Sequence, residues 1–153
     1  MIIAPHELHE DSLDKLSVNL GSRALRYSKT SHEDISDQHD ILILDVIGIL
    51  SQAYHYGHMA YVGGGFGAGI HNILEPAVYG IPVMFGPNYY KFNEAIELIK
   101  LKGAFVVHTY NDLSAMISSF LSEKEQMSAG EICRDYVQSK AGVTKKIMDF
   151  VVC

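Results

Sequence analysis

The sequence has 153 residues, of which 48% are hydrophobic and 20% are charged, and its formal net charge is −6. This length is enough for one domain with its own hydrophobic core, and the composition is that of an ordinary soluble globular protein. The acidic balance, without a basic stripe, argues against nucleic acid as a partner, because affinity for a phosphate backbone comes mainly from lysine and arginine.

Apolar runs of strand length alternate along the chain with stretches of helical spacing. Strands are predicted over residues 2–4, 24–27, 41–44, 59–62, 82–85 and 104–107. Helices are predicted over residues 9–20, 47–54, 73–79 and 91–101, with two or three more over residues 111–153. Apolar strands separated by helices are typical of a parallel sheet covered on both faces. The sequence therefore predicts an α/β fold, a Rossmann-like parallel sheet flanked by helices, with a ligand at the carboxyl ends of the strands.

Residues 1–153 are predicted to form a single domain, and the start directly on a strand suggests a fragment of a longer chain. The longest apolar run, residues 41–50, is interrupted by Asp45 and is too short to span a bilayer. Cys133 and Cys153 form no C-x-x-C, which fits a reducing compartment and argues against a disulfide scaffold. The eight histidines form no H-E-x-x-H and no D-x-D pair occurs, so we expect no bound metal.

The most informative stretch is a glycine-rich loop after the strand over residues 59–62. It has five glycines within seven residues, and it leads into a helix start that carries Asn72 and Glu75. Glycine lets a backbone approach a ligand closely, and a helix N-terminus offers N–H groups to a phosphate. The loop is therefore interpreted as the site of a phosphorylated ligand, the alternative being a tight turn without a ligand. It matches neither the dinucleotide fingerprint in its usual position nor a P-loop.

Three side chains next to this loop have two interpretations each. Asn72 and Glu75 are three residues apart, which is equally suited to a capping box and to ligand contact. His71 would either pack beneath the loop or contact the ligand. Pro76 requires the helix to begin close to residue 73.

Two further loops are expected at the same edge of the sheet. Residues 86–93 follow a predicted strand and contain two tyrosines, interpreted as exposed, and Lys91, which could pair with a phosphate or a carboxylate. Residues 45–50 contain Gly48, which could free backbone N–H groups for a ligand. The sequence contains no activated nucleophile, so the chain is interpreted as a ligand-binding domain.

The order of the motifs resembles the C-terminal half of the bacterial Kdo (3-deoxy-D-manno-octulosonic acid) transferases over residues 2–105. The motifs are Pro5-His6, Asp45-x-x-Gly48-x-Leu50, Val62-Gly63-Gly64-Gly65-Phe66, Gly69-Ile70-His71-Asn72-x-Leu74-Glu75-Pro76-Ala77 and Gly80-x-Pro82-Val83-x-x-Gly86-Pro87. The resemblance implies the C-terminal half of a GT-B fold, which binds the donor CMP-Kdo. The missing N-terminal domain would bind a lipid A precursor and supply the catalytic base.

The resemblance also implies roles for particular residues. Glu75 would accept hydrogen bonds from the ribose hydroxyls, and Asn72 would approach the phosphate. Ile47 and Gly48 would lie by the cytosine. The remaining donor-binding residues would be Gly63, Gly64, Gly65, His71 and His6.

Beyond the site, the resemblance implies metal-independent transfer of Kdo at the cytoplasmic face of the bacterial inner membrane by the full-length protein. The fragment alone would be soluble and inactive, with membrane association only through the full-length chain. Two alternatives remain open: a GT-B glycosyltransferase domain that uses a UDP-sugar, and a non-catalytic nucleotide-binding module.

This chain departs from its relatives at one expected phosphate contact. Relatives commonly have Pro-Arg-His where this chain has Pro5-His6-Glu7, so the arginine is absent. A protonated His6 or Arg26 would have to replace it, and the sequence does not choose between them. Relatives also often have an Asn-Phe pair where this chain has Lys91-Phe92.

Overall fold

The structure is a computed structural model that describes residues 1–120 and 122–151. It divides into two compact units, Met1–Ala53 and the residues from Tyr54 onward. Each unit contains a three-stranded sheet in which all strand pairs are parallel. The predicted α/β class with helices around parallel strands is confirmed, although the strands are divided between two sheets. The single domain over residues 1–153 stays a prediction.

The first unit has the sheet order β1-β3-β2, so that β3 is the central strand. Its residue pairs place Ile43 of β3 opposite both Ile3 and Arg26. The elements are β1 (Ile2–Ile3), α1 (Glu10–Leu20), β2 (Ala24–Arg26), β3 (Ile41–Ile43) and α2 (Leu50–Ala53).

The second unit has the sheet order β4-β5-β6. Its elements are β4 (Ala60–Tyr61), α3 (Leu74–Val78), β5 (Val83–Phe85), α4 (Asn93–Leu101), β6 (Ala104–Val106), α5 (Tyr110–Ser119), α6 (Glu123–Lys140) and α7 (Val143–Val151). Every predicted strand and helix has a counterpart, usually one or more residues shorter at its ends. In the C-terminal region, residues 110–120 and 122–151 contain three helices. Helix α3 begins just after residue 73, as Pro76 requires.

The core of the second unit forms around the central strand β5, whose three residues are all buried. Leu98 of α4 and Cys133 of α6 are fully buried in the same cluster. The Cys133 thiol donates to the carbonyl oxygen of Gly103 at 3.0 Å, and burial raises the pKa of that thiol to about 12. Cys133 is therefore a packing residue rather than a reactive thiol, whereas Cys153 lies outside the described residues.

The first unit is held together by a network around Arg26, the last residue of β2. The guanidinium is only 9% exposed and donates to Asp45 at 2.8 Å, to Glu10 at 2.8 and 2.9 Å, and to Asp14 at 3.0 Å. Asp45 also accepts from the backbone N–H of Ser28 at 2.8 Å and from its hydroxyl at 2.5 Å. A buried charge is tolerated when it is paired and hydrogen-bonded in this way. The network joins α1, the end of β2 and the segment that follows β3.

Two carboxylates of the network have lowered pKa values. Hydrogen bonds from Arg26 and then Lys29 lower the pKa of Glu10 from its ordinary value of 4.5 to about 2. Burial of Asp45 acts to raise its pKa, but the hydrogen bonds from Ser28 and Arg26 outweigh burial and hold it below the usual range. Because the folded state prefers both groups ionised, they contribute stability above their unfolded pKa values, which is lost as pH falls.

We expect the free energy of unfolding to fall as the pH is lowered from 4.5 towards 2, the interval over which Glu10 is held ionised. Asp45→Asn removes the charge pair with Arg26, so it should lower stability at pH 7 by about 1–3 kcal/mol and reduce the loss in acid. Urea titrations followed by circular dichroism at several pH values measure both effects. Glu33→Gln, an exposed carboxylate outside the network, is the control. An Asp45→Asn profile that parallels the parent's would contradict this account.

Candidate functional site

The candidate site of the second unit lies at the carboxyl edge of its sheet, where two loops meet. We call residues 63–72, after β4, the glycine loop, and residues 86–92, after β5, the Gly-Pro loop. Asn88 of the Gly-Pro loop donates its backbone N–H to the carbonyl oxygen of Gly65 at 2.8 Å. Its side-chain amide donates to the carbonyl oxygen of Gly67, also at 2.8 Å. These hydrogen bonds hold the tip of the glycine loop against the Gly-Pro loop.

At two positions of the glycine loop, the fold of the backbone requires glycine. Gly64 has a φ of +87°, and a Cβ atom there would lie 2.3 Å from the carbonyl oxygen of Gly69. Gly65 has a φ of +80°, and its Cβ would lie 2.7 Å from the backbone of Gly86. The loop also folds back on itself, since the N–H of Gly65 donates to the carbonyl oxygen of Gly69 at 2.6 Å. Part of the glycine content therefore comes from close packing of backbone against backbone.

Two other glycines are not explained by packing. A Cβ at Gly67 would have no atom within 4 Å, and one at Gly63 would only touch the His71 ring at an ordinary 3.6 Å. Neither residue has a φ in the left-handed region, and both are exposed. These are the positions where the absence of a side chain leaves room for a ligand rather than for the protein.

Asn72 and Glu75 are bonded to each other at the start of α3. The Asn72 side chain accepts from the backbone N–H of Leu74 at 3.0 Å and donates its amide to Glu75 Oε1, also at 3.0 Å. The capping box is not formed, because the N-cap is Ile73 and Glu75 bonds a side chain instead of the backbone. Both side chains are exposed, so the pair presents a pre-oriented carboxylate to solvent.

Helix α3 is shorter than its interpretation as a phosphate-binding helix assumed. It has five residues and is therefore about 7.5 Å long at 1.5 Å per residue. The dipole of so short a helix is correspondingly small, so this helix end can supply little of the positive potential that a phosphate needs.

The remaining predicted residues divide between the two units. In the second unit, His71 is exposed and its backbone N–H donates to the carbonyl oxygen of Gly63 at 3.2 Å. In the first unit, His6 follows β1, while Ile47 and Gly48 follow the adjacent strand β3. Ile47 is 91% exposed, and Gly48 has a φ of +93°, which favours glycine. Each group thus lies at the carboxyl edge of its own sheet, and their roles in ligand binding stay predictions.

Two interpretations made from the sequence are wrong. Arg26 is not available to a phosphate, because its guanidinium is committed to Glu10, Asp14 and Asp45. Tyr89 is half-buried rather than exposed. Its ring stacks on Tyr90 with a centroid distance of 4.5 Å and packs against the hydrophobic core.

The sequence analysis missed the role of Asn88, whose two hydrogen bonds join the loops. The only signal was its position after Gly86-Pro87, a pair typical of turns.

Within residues 1–120 and 122–151, no group of three or more His, Cys, Asp or Glu side chains is arranged to hold a metal ion. No helix in the same ranges has both the length and the hydropathy needed to cross a membrane.

Comparison with known proteins shows clear relatives, although no protein-family profile matches the chain. The "3-deoxy-D-manno-octulosonic acid transferase" of Aquifex aeolicus (strain VF5) is 35% identical over 114 residues, 73% of this chain and 31% of that protein. The protein of the same name from Chlamydophila psittaci is 32% identical over 123 residues, 79% of this chain and 28% of that protein. The chain thus spans about a third of the length of these curated relatives.

A solved structure has the same fold. It is the "C-terminal CMP-Kdo binding domain of WaaA" from Acinetobacter baumannii, with a TM-score of 0.71 and 23% identity over 86% of this chain and 72% of that chain. The fold and the relatives together place the chain in the glycosyltransferase class. Within that class, it belongs to the family of bacterial 3-deoxy-D-manno-octulosonic acid transferases, which confirms the resemblance of the motifs.

The contrast between the glycines can be tested by stability. Gly64→Ala should lower the free energy of unfolding by about 1–3 kcal/mol or more, because a residue with a side chain is strained in the left-handed region. Gly67→Ala should be neutral or slightly stabilising, because the added methyl group has no neighbour within 4 Å. Urea denaturation of both variants measures the difference. Equal destabilisation would show that the loop packs differently from this description.

Proposed function

We propose that this chain is the CMP-Kdo-binding domain of a Kdo transferase, corresponding to the C-terminal half of a GT-B enzyme. The full-length protein would move Kdo from CMP-Kdo to a lipid A precursor at the cytoplasmic face of the bacterial inner membrane. The observation that carries the proposal is the 35% identity to a transferase of this family over 73% of the chain. The glycine loop at the carboxyl edge of a parallel sheet supports it, since ligands bind at that edge in such folds.

In the proposed site, Glu75 accepts hydrogen bonds from the ribose hydroxyls of the donor. Its exposed carboxylate is already oriented by the 3.0 Å hydrogen bond from Asn72, so little side-chain freedom is lost on binding. Asn72 and the backbone of the glycine loop at Gly63 hold the phosphate, with His71 beside them. An exposed amide, an exposed carboxylate and accessible loop backbone at one edge of a sheet suit a ligand with several hydroxyl and phosphate oxygens.

The first unit contributes the contacts to the cytosine base in this proposal. Ile47 offers an exposed apolar surface for one face of the base, and Gly48 brings backbone close to its polar edge. The buried Asp45 fixes the start of this loop through Ser28 and Arg26. His6 follows β1, the strand next to β3, and would take part in donor binding from there.

Binding is proposed to need no divalent ion. Negative charge that develops on the departing CMP phosphate would be met by backbone N–H groups and side-chain donors rather than by a metal. The catalytic base would lie in the N-terminal part of the full-length enzyme, as the resemblance to the Kdo transferases implies.

The test is calorimetric titration of this chain with CMP, UMP and UDP, each with and without EDTA. We expect preferential binding of CMP, unchanged by EDTA. Glu75→Ala should weaken CMP binding by about 10- to 100-fold, as expected for the loss of charge-assisted hydrogen bonds. Glu131→Ala removes an exposed carboxylate from α6 and should have no effect.

The outcomes separate the alternatives. A preference for UDP would assign the chain to a UDP-sugar transferase instead. CMP binding that is unchanged in Glu75→Ala would refute the ribose contact while leaving the rest of the proposal intact.

Because the catalytic base and the acceptor site are assigned to the N-terminal domain, we expect that this chain alone does not catalyse transfer. Incubated with CMP-Kdo and a lipid A precursor, it should release no more CMP than a buffer blank, because half of the proposed active site is missing. Mass spectrometry of the acceptor measures directly whether Kdo has been added to it. Transfer by the isolated chain would show that the catalytic base lies within these 153 residues.

A further inference from the structure

A negatively charged ligand is bound more tightly where a positively charged side chain faces it. The formal net charge is −6, and the proposed site itself contains the carboxylate of Glu75. Arg26 is committed to three carboxylates, and α3 is too short to supply much dipole. Apart from His6 of the first unit, a cation for the phosphate or for the carboxylate of a sugar acid would therefore lie elsewhere in the chain.

The strand ends of the second unit contain one such residue. Among residues 62–72, 86–92 and 107–109, which follow β4, β5 and β6, Lys91 is the single lysine or arginine. It is exposed, and among the described residues it takes part in no ion pair. Lys140 of the same unit, by contrast, is bound to Glu97 at 2.8 Å.

Lys91 borders a cavity at the junction of the two loops. The cavity has a volume of about 270 Å³ and is lined by Gly67, Ala68, Asn88, Tyr90 and Lys91. The cavity is a depression in the surface that is widely open to solvent, so a ligand can reach it without moving the chain.

The walls of this cavity are fixed by contacts already described. Asn88 holds the tip of the glycine loop through its 2.8 Å bond to Gly67, and Tyr90 stacks on Tyr89, which packs against the core. Gly67 has no packing neighbour at its Cβ position, so the backbone on that wall is accessible to a ligand. An exposed lysine beside walls held by a hydrogen bond and a ring stack resembles the arrangement by which lysines bind phosphate as point charges.

From this geometry we propose that Lys91 and the glycine-loop tip at Gly67 form the subsite for an anionic group of the bound nucleotide sugar. The proposal rests on the function proposed above and specifies which side chain neutralises the ligand. The group bound there is an oxyanion, either the phosphate of the nucleotide or the carboxylate of the sugar.

The experiment compares Lys91→Gln with Lys91→Arg, which restores the charge, and with Lys100→Gln. Lys100 lies in the last turn of α4, at the opposite edge of the sheet, and its replacement changes the net charge equally. Each protein is titrated with CMP, with cytidine, and with free Kdo in the presence of saturating CMP. Circular dichroism melting checks that all variants are folded.

If the subsite binds the phosphate, Lys91→Gln should weaken CMP binding by about five- to twentyfold and leave cytidine unchanged. If it binds the sugar carboxylate, the same loss should appear for Kdo and not for CMP. In either case Lys91→Arg should recover most of the affinity, and Lys100→Gln should match the parent. Gly67→Ala, which we expect to be stably folded, should weaken the binding of whichever ligand, CMP or Kdo, is affected by Lys91→Gln.

The inference is overturned if the parent chain binds CMP while Lys91→Gln binds both CMP and Kdo as the parent does. An equal loss for CMP and cytidine in Lys91→Gln also overturns it, since the effect would not concern an anion. A parent chain that binds none of the three nucleotides CMP, UMP and UDP overturns the proposed function and this inference together.

Discussion

At the carboxyl edge of the second sheet, Gly65 and Gly86 approach so closely that a Cβ on either residue would lie 2.7 Å from the backbone of the other. This contact of backbone against backbone determines how the two loops can be arranged. It brings Asn88 within reach of two carbonyl oxygens of the glycine loop, and it fixes the tip of that loop at Gly67. A side chain at either glycine would separate the loops and open the cavity between them.

The glycine loop therefore serves two purposes, which fall on different residues. Gly64 and Gly65 have positive φ values and no space for a side chain, so they form the turn. Gly63 and Gly67 have neither restriction, so their small size is unused by the fold and available to a ligand. The interpretations of a tight turn and of a binding loop were alternatives at the level of the sequence. The structure shows the tight turn at Gly64 and Gly65, whereas ligand binding at Gly63 and Gly67 stays a prediction.

Much of this could be predicted from local patterns. The alternation of apolar runs gave the order of strands and helices, and Pro76 located the start of α3, because both depend on neighbouring residues only. The use of Arg26 could not be predicted, since its partners Glu10 and Asp45 are 16 and 19 residues away along the chain. The bond from Asn88 to Gly67 spans 21 residues, and the burial of Tyr89 depends on the core. The division of the strands into two sheets is likewise a matter of long-range pairing that no periodicity encodes.

The hydrogen bond between Asn72 and Glu75 has a further consequence for the proposed site. The carboxylate of Glu75 has acceptor sites besides the one that the Asn72 amide occupies, so ribose hydroxyls can bind to it while that hydrogen bond stays in place. The amide of Asn72 has a second N–H, which a phosphate on the same ligand could accept. Recognition of the nucleoside and of its phosphate would in this way be linked through one amide group, which orients the carboxylate and binds the phosphate. A nucleotide would use both N–H groups, whereas a nucleoside alone would leave the second one to water.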